Sequence, residues 1–485
     1  MSAAFARGTL RARLCTLVGI FLAGSMLVGC ATRSAPASRA TAGQPPPLDD
    51  AHRRLGAPPR GHVWAGAGKV DVSPAGSMYL AGFSPGRRST GVHDPLYARC
   101  VFLDDGTTPL VLVELDLVGF LHPDVVAMRS RITAKHASSV IVASTHVHAA
   151  PDTIGLWGPG LVLPVGSGKD PAYMERVEAA GAECVAQAAT QARPATAVFA
   201  RSQVPPDLSY NIHAEDRPTL AVAKDDALTA VRWIGDDGTG IATIVSWACH
   251  PEALGRDNTL ATADYPGVLA SKLEEKLGGT AMLVNGAVGG LVTVRDPETG
   301  PHGFELAEQV GSRVADVAVH ALQATSAVPW PAGDESTSAS TDATARDEFR
   351  AVAEPLHAAF DNRWWRFFRW LGLLDVELEN DHVATEVMAW RVGPSVWLTV
   401  PGEIFPSLGR RYREAMKSDL GFLVGLGNDE LGYIMEPTEF EDDIYSYEQM
   451  MSLGPKTGPA LDAAVDAALQ ALDAPHSATV SPGGE

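Results

Sequence analysis

Residues 140–148 have the sequence Val140-Ile-Val-Ala-Ser-Thr-His-Val-His148, in which a short apolar run leads directly into two histidines. Similar short runs, rich in β-branched residues, occur at Val101-Phe-Leu103 and Leu110-Val-Leu-Val113. Apolar runs of this length are typical of strands that are buried on both faces of a sheet. The first stretch therefore predicts a buried strand whose carboxyl end carries two histidines.

Segments with helical spacing separate further strand-like runs along the chain. Helices are predicted at 172–192, 265–277 and 305–324, and strands at 219–223, 230–233, 241–249, 281–285 and 395–400. Strands that alternate with helices indicate an α/β domain, and a layered α+β arrangement fits the same pattern. We expect one large domain at 63–473 with mixed sheets flanked by helices, an insertion near 331–375 and a disordered tail at 474–485.

Composition and charge limit the kinds of partner. The chain has 485 residues, of which 46% are hydrophobic and 20% are charged. These values are ordinary for a globular protein, so most of the chain should fold. The formal net charge of -20 repels phosphate groups. It argues against nucleic-acid binding, and against attachment to an anionic membrane by net charge alone.

The N-terminus has the pattern of a secretory signal. A segment containing three arginines precedes an apolar run from Leu14 to Val28, which ends at Gly29-Cys30. This order is typical of a signal peptide, and the run is too short for a typical spanning helix. The cysteine predicts a bacterial lipoprotein with a signal peptide at 1–29 and a lipid anchor on Cys30. An uncleaved membrane anchor is the alternative interpretation.

Two further expectations follow from the lipoprotein interpretation. Alanine rather than aspartate follows the cysteine, which favours the outer membrane over other parts of the cell envelope. Residues 30–62 are rich in Ala, Pro and Ser, so we expect a flexible tether between the lipid and the domain.

The sequence does not determine whether the cysteines after Cys30 are free thiols or form a disulfide. Cys15 lies in the predicted signal, and Cys100, Cys184 and Cys249 remain at irregular spacing. These three cysteines form neither a disulfide framework nor a CxxC zinc motif. One disulfide and buried free thiols are both compatible with the sequence.

Three separated segments carry residue types that bind metals. In an extended chain, residues two apart face the same side, so His146 and His148 can point into one pocket. His250 and Glu403 each follow an apolar strand, at Ala248-Cys-His-Pro251 and Val400-Pro-Gly-Glu403. Two histidines and a glutamate are a ligand set of catalytic zinc sites. Taken singly, each residue is equally compatible with a structural role.

The segment Arg363-Trp-Trp-Arg-Phe-Phe-Arg-Trp-Leu-Gly-Leu-Leu374 has an arginine at every third position and aromatic residues between them. A helix here would carry a basic stripe beside an aromatic face. One interpretation is a helix packed on the core with its arginines reaching solvent. The other is a lid that touches a membrane or holds an acyl chain.

Several motifs together resemble the neutral, non-lysosomal ceramidases over residues 64–455. The motifs are Ala65-Gly-Ala-Gly-Lys-Val-Asp-Val-Ser-Pro74, Ala81-Gly-Phe83, His93-Asp-Pro-Leu-Tyr-Ala-Arg99, Asp116-Leu117, Thr145-His-Val-His148, Ala248-Cys-His-Pro251, Asp264-Tyr-Pro-Gly267, Val284-Asn-Gly-Ala287, Val400-Pro-Gly-Glu403 and Gly425-Leu-Gly-Asn428 through Tyr433. The resemblance implies the catalytic domain of that family and zinc-dependent hydrolysis of a lipid amide such as ceramide.

The resemblance also implies roles for individual residues. The implied zinc ligands are His146, His250, Glu403 and Tyr433. His148 corresponds to the histidine that moves the proton. The tyrosine that stabilises the oxyanion corresponds to Tyr445, twelve residues after Tyr433, or to Tyr447, and Tyr445 is favoured.

Departures from the family pattern bear on the substrate. Asn285-Gly-Ala-Val-Gly-Gly290 has lost an acidic residue, and Asn211-Ile-His-Ala-Glu-Asp216 replaces an arginine-rich segment. Alternatives to a ceramidase are therefore a metal-dependent hydrolase of a non-sphingolipid amide or ester, and a non-catalytic surface lipoprotein that binds a ligand. A lipid substrate is favoured if the aromatic segment 364–374 forms a wall of the metal pocket.

Overall fold

The computed structural model describes residues 46–160, 165–217, 224–294, 301–325, 349–374, 376 and 378–474. All of them belong to one compact unit, Pro45–Glu485. The signal peptide and Cys30 lie outside the described residues, as do the strand predicted at 219–223, the segment 331–347 and the tail beyond Ala474. Within the described residues, every helix is too short or too polar to cross a membrane.

The described chain contains nineteen strands. They are β1 Val63–Asp71, β2 Gly91–Val92, β3 Tyr97–Asp104, β4 Pro109–Leu115, β5 Val140–Ser144, β6 Arg193–Gln203, β7 Ser209–Asn211, β8 Ala227–Gly235, β9 Gly240–Trp247, β10 Leu260–Ala261, β11 Thr280–Asn285, β12 Val292–Val294, β13 Arg350–Ala359, β14 Leu378–Glu379, β15 His382–Val392, β16 Ser395–Thr399, β17 Glu403–Ile404, β18 Phe422–Val424 and β19 Tyr433–Ile434.

Eleven α-helices accompany these strands in the described residues. They are α1 Pro47–Leu55, α2 His122–Ile132, α3 Pro171–Thr190, α4 Ile212–Asp216, α5 Asp264–Leu277, α6 Pro301–Gln323, α7 Arg363–Trp370, α8 Pro406–Ala415, α9 Pro437–Phe440, α10 Ser446–Met450 and α11 Thr457–Asp473. Helices α3, α5 and α6 confirm the three predicted from spacing.

The largest sheet has eight strands in the order β11-β9-β8-β6-β1-β3-β4-β5. Its two outermost pairs, β9 with β11 and β4 with β5, are parallel, and the pairs between them are antiparallel. The second large sheet contains β13, β15, β16 and β18, with β14 paired to β15. The expectation of mixed sheets in an α/β domain is therefore confirmed.

The domain has four layers, helices, sheet, sheet and helices, because each sheet buries both of its apolar faces. One core lies between the two large sheets and contains large side chains such as Trp233, Trp390 and Trp397. Helices α2 and α3 pack on one part of the outer face of the eight-stranded sheet, and α5 and α6 on another. Helices α8 and α11 cover the outer face of the smaller sheet. Each sheet thus faces its partner sheet on one side and helices on the other, as in layered α/β folds.

The predicted tether is wrong at its C-terminal end. Residues 47–55 form α1, in which Leu48 and Ala51 are buried. Asp49 accepts hydrogen bonds from the Thr133 hydroxyl and the Ala134 amide, 2.5 and 2.9 Å long. The first proline of the helix needs no amide partner at that position. The composition of residues 30–62 did not predict this helix, because the contacts that stabilise it come from residues distant in sequence.

The structure settles the pairing of the cysteines. Cys100 in β3 and Cys184 in α3 form a disulfide that joins the sheet to its helix layer. Cys249 is a buried free thiol. Sequence spacing could not select this pair because the two residues are 84 positions apart.

Replacing Arg99 with methionine should destabilise the fold by about 3–5 kcal/mol, because it leaves two buried carboxylates without a cation. The Arg99 guanidinium is 3.0 Å from Glu114 and 2.8 Å from Asp116, and all three side chains are buried. Urea unfolding would measure the loss.

Arg201→Met is the matched control, because Arg201 pairs with the exposed Asp419. Exposed pairs of this kind contribute at most about 1 kcal/mol. Equal urea midpoints for the two variants would contradict a stabilising role for the buried cluster.

Candidate metal centre

His146 lies just beyond β5 in a constrained backbone conformation. Its φ of 70° is in the left-handed region. This backbone conformation is unfavourable for a residue with a side chain, so it is kept only where the surrounding structure enforces it. Its ring Nδ1 donates to the Val118 carbonyl over 2.6 Å. The other nitrogen, Nε2, is therefore left as an electron-pair donor, as is usual in histidines that bind metals.

His250 follows β9 and is oriented in the same way. Its Nδ1 donates to the Val292 carbonyl over 2.9 Å. Its Nε2 lies 2.9 Å from a carboxylate oxygen of Glu403. The side chain of His250 is fully buried, so both ring nitrogens have defined surroundings.

Asn285 fixes the two histidine loops relative to each other. Its side-chain amide donates to the carbonyls of Thr145 and Cys249, each over 3.0 Å. These residues immediately precede His146 and His250. Asn285 ends β11, and Thr145 follows β5, at the opposite end of the strand order. The two outermost strands of the eight-stranded sheet therefore end close together at this point.

Glu403 and Tyr433 are brought side by side by a short parallel pair of strands. Glu403 begins β17, and it is aligned with Tyr433 at the start of β19. The same Glu403 oxygen that contacts His250 lies 3.5 Å from Nε2 of His146. Both Glu403 and Tyr433 are buried. All four residues that the family resemblance assigned as ligands thus lie in one region.

The electrostatics of this region favour a bound cation. Burial opposes ionisation of Glu403, but His146 and His250 outweigh it and hold the pKa of the Glu403 carboxyl well below its usual range. Burial likewise opposes a charge on His250, but Glu403 outweighs it and raises the pKa of His250 to about 9. A positive charge is therefore stabilised between these side chains. A metal ion fits the same position, since imidazole nitrogen and carboxylate oxygen are zinc ligands.

His148 lies beside this group. Its Nε2 is 3.2 Å from Nε2 of His146, and its Nδ1 is 3.4 Å from a carboxylate oxygen of Glu252. Burial lowers the pKa of His148 to about 4, although Glu252 opposes the shift. The ring is therefore neutral near pH 7 and can accept a proton.

A glycine provides the space that His148 occupies. A Cβ on Gly82 would come within 2.4 Å of the Cβ of His148, and the φ of Gly82 is 101°. The neighbouring Phe83 ring meets the His148 ring edge to face at 5.4 Å. This close approach gives a physical reason for the Ala81-Gly-Phe83 motif.

The buried group His146, His148 and His250 could hold a metal ion, because one ring nitrogen from each lies within 4.8 Å of the others. The set implied by the family resemblance has Glu403 and Tyr433 in place of His148. The two sets share His146 and His250, and the structure brings both sets together.

The candidate metal centre borders a cavity lined by both polar and apolar side chains. The lining residues are Gly82, Val118, His146, His148, Ile154, Leu156, Trp157, Trp365, Glu403, Glu430, Gly432, Tyr433, Tyr447 and Met451. Trp365 belongs to α7, so the aromatic segment 364–374 does form part of the wall.

The two candidate tyrosines occupy different places. Tyr447 lines the cavity, and its ring lies 6.0 Å from that of Tyr433. Tyr445 is absent from the cavity lining and packs edge to face on His213 and Phe405, each at 4.9 Å. Tyr447 is 47% exposed as a residue, yet burial of its hydroxyl raises its pKa. The placement therefore favours Tyr447 as the hydroxyl that can reach a bound ligand.

Two acidic residues of the site were missed by sequence reasoning. Glu252 lies two residues after His250 and contacts His148. Glu430 is buried in the cavity wall, and one of its carboxyl oxygens lacks a hydrogen-bond partner among the described residues. Glu252 could have been noticed because it directly follows the His250-Pro251 motif. Glu430 had no such signal, since only its burial distinguishes it from a surface carboxylate.

Fold and site together define a layered α/β protein with a buried group of side chains that could bind a metal. Comparison with solved structures finds the same fold in ceramidases. Neutral ceramidase from Pseudomonas aeruginosa is 16% identical, with a TM-score of 0.66 over 85% of this chain and 75% of that chain. A ceramidase complexed with C2 is 15% identical, with a TM-score of 0.65 over 84% of this chain and 75% of that chain.

The chain therefore has the neutral ceramidase fold, and the likeness supports the family resemblance drawn from its motifs. Comparison with family models finds no match, and comparison with curated proteins finds none either.

Proposed function

We propose that this protein is a zinc-dependent hydrolase that cleaves the amide bond of an N-acyl lipid, ceramide being the model substrate. One observation carries the proposal: His146, Glu403 and Tyr433 line a cavity that also has apolar lining residues, and His250 contacts Glu403 directly behind them. The shared fold with two ceramidases supports this reaction class.

The proposed zinc ligands are His146, His250, Glu403 and Tyr433. Backbone carbonyls orient both imidazoles so that Nε2 is available, and the carboxylate is held ionised. A zinc ion held there supplies a Lewis acid that polarises the substrate carbonyl and makes water a stronger nucleophile near pH 7.

His148 moves the proton in the proposed reaction. It is neutral near pH 7 because of its burial, so it can accept a proton from the attacking water. The same ring then donates that proton to the amide nitrogen, because the nitrogen leaves as an amine and not as an amide anion. Glu252, 3.4 Å from Nδ1, positions the ring and opposes the loss of positive charge.

Tyr447 takes the role of the oxyanion donor. Burial raises the pKa of the Tyr447 hydroxyl, and the charges of Glu403 and Glu252 raise it further, so the hydroxyl stays protonated. A protonated phenol can donate a hydrogen bond to the carbonyl oxygen as negative charge develops on it. Tyr445 is given a packing role instead.

The apolar side of the cavity suits an acyl chain. It is lined by Ile154, Leu156, Trp157, Trp365 and Met451. Burying a hydrocarbon chain there would stabilise the complex by about 0.8 kcal/mol for each CH₂ group removed from water. Attachment through a lipid on Cys30 at the outer membrane would place the enzyme near such substrates. That part of the proposal is supported by the sequence pattern of residues 1–30 alone.

The test is amine release from defined substrates by protein loaded with zinc. We expect free sphingoid base and fatty acid from ceramide, no product after chelator treatment, and recovery on adding zinc but not magnesium. An N-acyl amide without the sphingoid base and a lipid ester serve as parallel substrates. If the zinc-loaded protein releases amine from none of the N-acyl lipids, the proposed function is wrong.

A further inference from the structure

Helix α7 exposes an unusual number of large apolar side chains. Trp370 is 77% exposed, and Trp364, Phe367 and Leu371 are each about 40% exposed. Four of the eight large hydrophobic residues that are exposed in the described chain therefore lie within eight consecutive positions. Single exposed apolar residues are common, but a contiguous patch marks an interaction surface.

The exposed rings form one face of the helix. Phe367 and Trp370 stack at 6.0 Å with an angle of 26° between their planes. The adjacent side of the helix carries Trp365 and Phe368, which are buried in the core. The exposed face is thus not needed for packing of the described domain.

Three cations lie along this aromatic face. Arg363, Arg366 and Arg369 are exposed, and residues 363–371 contain no acidic residue, which gives the segment a charge of +3 in a chain of net charge -20. Arg366 and Arg369 donate to nearby backbone carbonyls, and the only ion pair made by any of the three in the described residues is a 3.6 Å contact between Arg366 and Asp381. Arginines beside exposed tryptophans are typical of helices that lie in an anionic membrane interface.

The same helix is connected to the cavity wall and to the segment that carries Tyr447. Trp365 forms part of the cavity wall. The side-chain amide of Asn362, which caps α7, donates to the carbonyls of Gln449, Met450 and Ser452. Those residues belong to or follow α10, the helix that carries Tyr447. The exposed face and the cavity wall are therefore two sides of one short helix.

We propose that α7 is a membrane-docking helix that inserts Trp364, Phe367, Trp370 and Leu371 into the surface of an anionic lipid bilayer. The charge of this helix favours a membrane as the partner of its exposed face. The local charge of +3 attracts anionic headgroups, although the whole chain is acidic. Docking there brings the helix that carries Trp365, a residue of the cavity wall, to the bilayer surface. The inference goes beyond the proposed function, since membrane docking is measured without any hydrolysis.

The test is partition of residues 45–485 onto vesicles, measured by sedimentation and tryptophan fluorescence. This compact unit is used because the apolar run at 14–28 would itself bind vesicles. We expect the Phe367→Ser/Trp370→Ser variant to bind vesicles of phosphatidylcholine and phosphatidylglycerol at least about 10-fold more weakly. Val92→Ser/Val126→Ser, which removes two exposed apolar residues outside α7, should bind as the wild type does.

A charge variant tests the choice of lipid independently of the aromatic residues. Arg363→Gln should weaken binding to anionic vesicles about 5-fold at low salt and leave binding to pure phosphatidylcholine unchanged. Arg53→Gln, on the exposed surface of α1, is its control. Equal binding by the Phe367→Ser/Trp370→Ser variant and its control would overturn the proposal, as would equal binding by the two arginine variants.

Discussion

The His146→Ala variant should lose its bound metal and its amide hydrolysis together. Wild-type protein purified without chelator is expected to hold about one zinc per chain. Removing His146 deletes one of the two imidazoles that contact Glu403. Loss of an outer-shell partner already costs about 10–100-fold in affinity or activity, so loss of a ligand should cost more. Elemental analysis and amine release measure the two effects on one sample.

Two further variants make that result specific. His302→Ala removes an exposed histidine of α6 and should keep both metal and activity. His148→Ala should keep the metal but lose about 10²–10⁴ in rate, as expected for a residue that moves a proton. If His148→Ala also loses the metal, the three histidines are the ligands and the set with Glu403 and Tyr433 is wrong.

The Tyr447→Phe variant should hydrolyse its substrate about 10²–10³-fold more slowly, which corresponds to about 2.7–4 kcal/mol of lost transition-state stabilisation. The loss should fall on kcat with little change in KM, because the hydroxyl is needed only once the carbonyl oxygen becomes charged. Bound zinc should be unchanged, which separates this variant from a ligand variant. Steady-state kinetics with the same lipid amide provide the measurement.

Tyr445→Phe is the matched control, since it deletes the same atom two residues away. Tyr445 packs on His213 and Phe405, so its variant should keep nearly full activity. A larger loss in Tyr445→Phe than in Tyr447→Phe would restore the assignment based on the twelve-residue spacing from Tyr433.

The difference between these tyrosines shows where sequence reasoning stops. The family resemblance, with its expected twelve-residue separation from Tyr433, favoured Tyr445, but a 3₁₀ turn at Asp443–Tyr445 runs directly into α10. Side chains two positions apart on such a turn point in different directions. Only the packing of α10 against the rest of the chain determines which tyrosine faces the cavity.

The sequence alone determined many of the elements and the chemistry available to them. Apolar runs predicted strands such as β4, β5 and β11, and helical spacing predicted α3, α5 and α6, because these signals depend on neighbours along the chain. The candidate ligands were also predicted, since each histidine or glutamate follows a predicted strand and matches a family motif.

Only the tertiary structure decided how distant parts meet. It joins Cys100 to Cys184, uses Asn285 to connect the loops before His146 and His250, and places Glu252 against His148. It also turns residues 47–55 into a helix and puts Trp365 in the cavity wall. These features arise from hydrogen bonds and side-chain packing between segments far apart in sequence. Local composition and periodicity carry no record of such contacts, so they could be seen only in the folded chain.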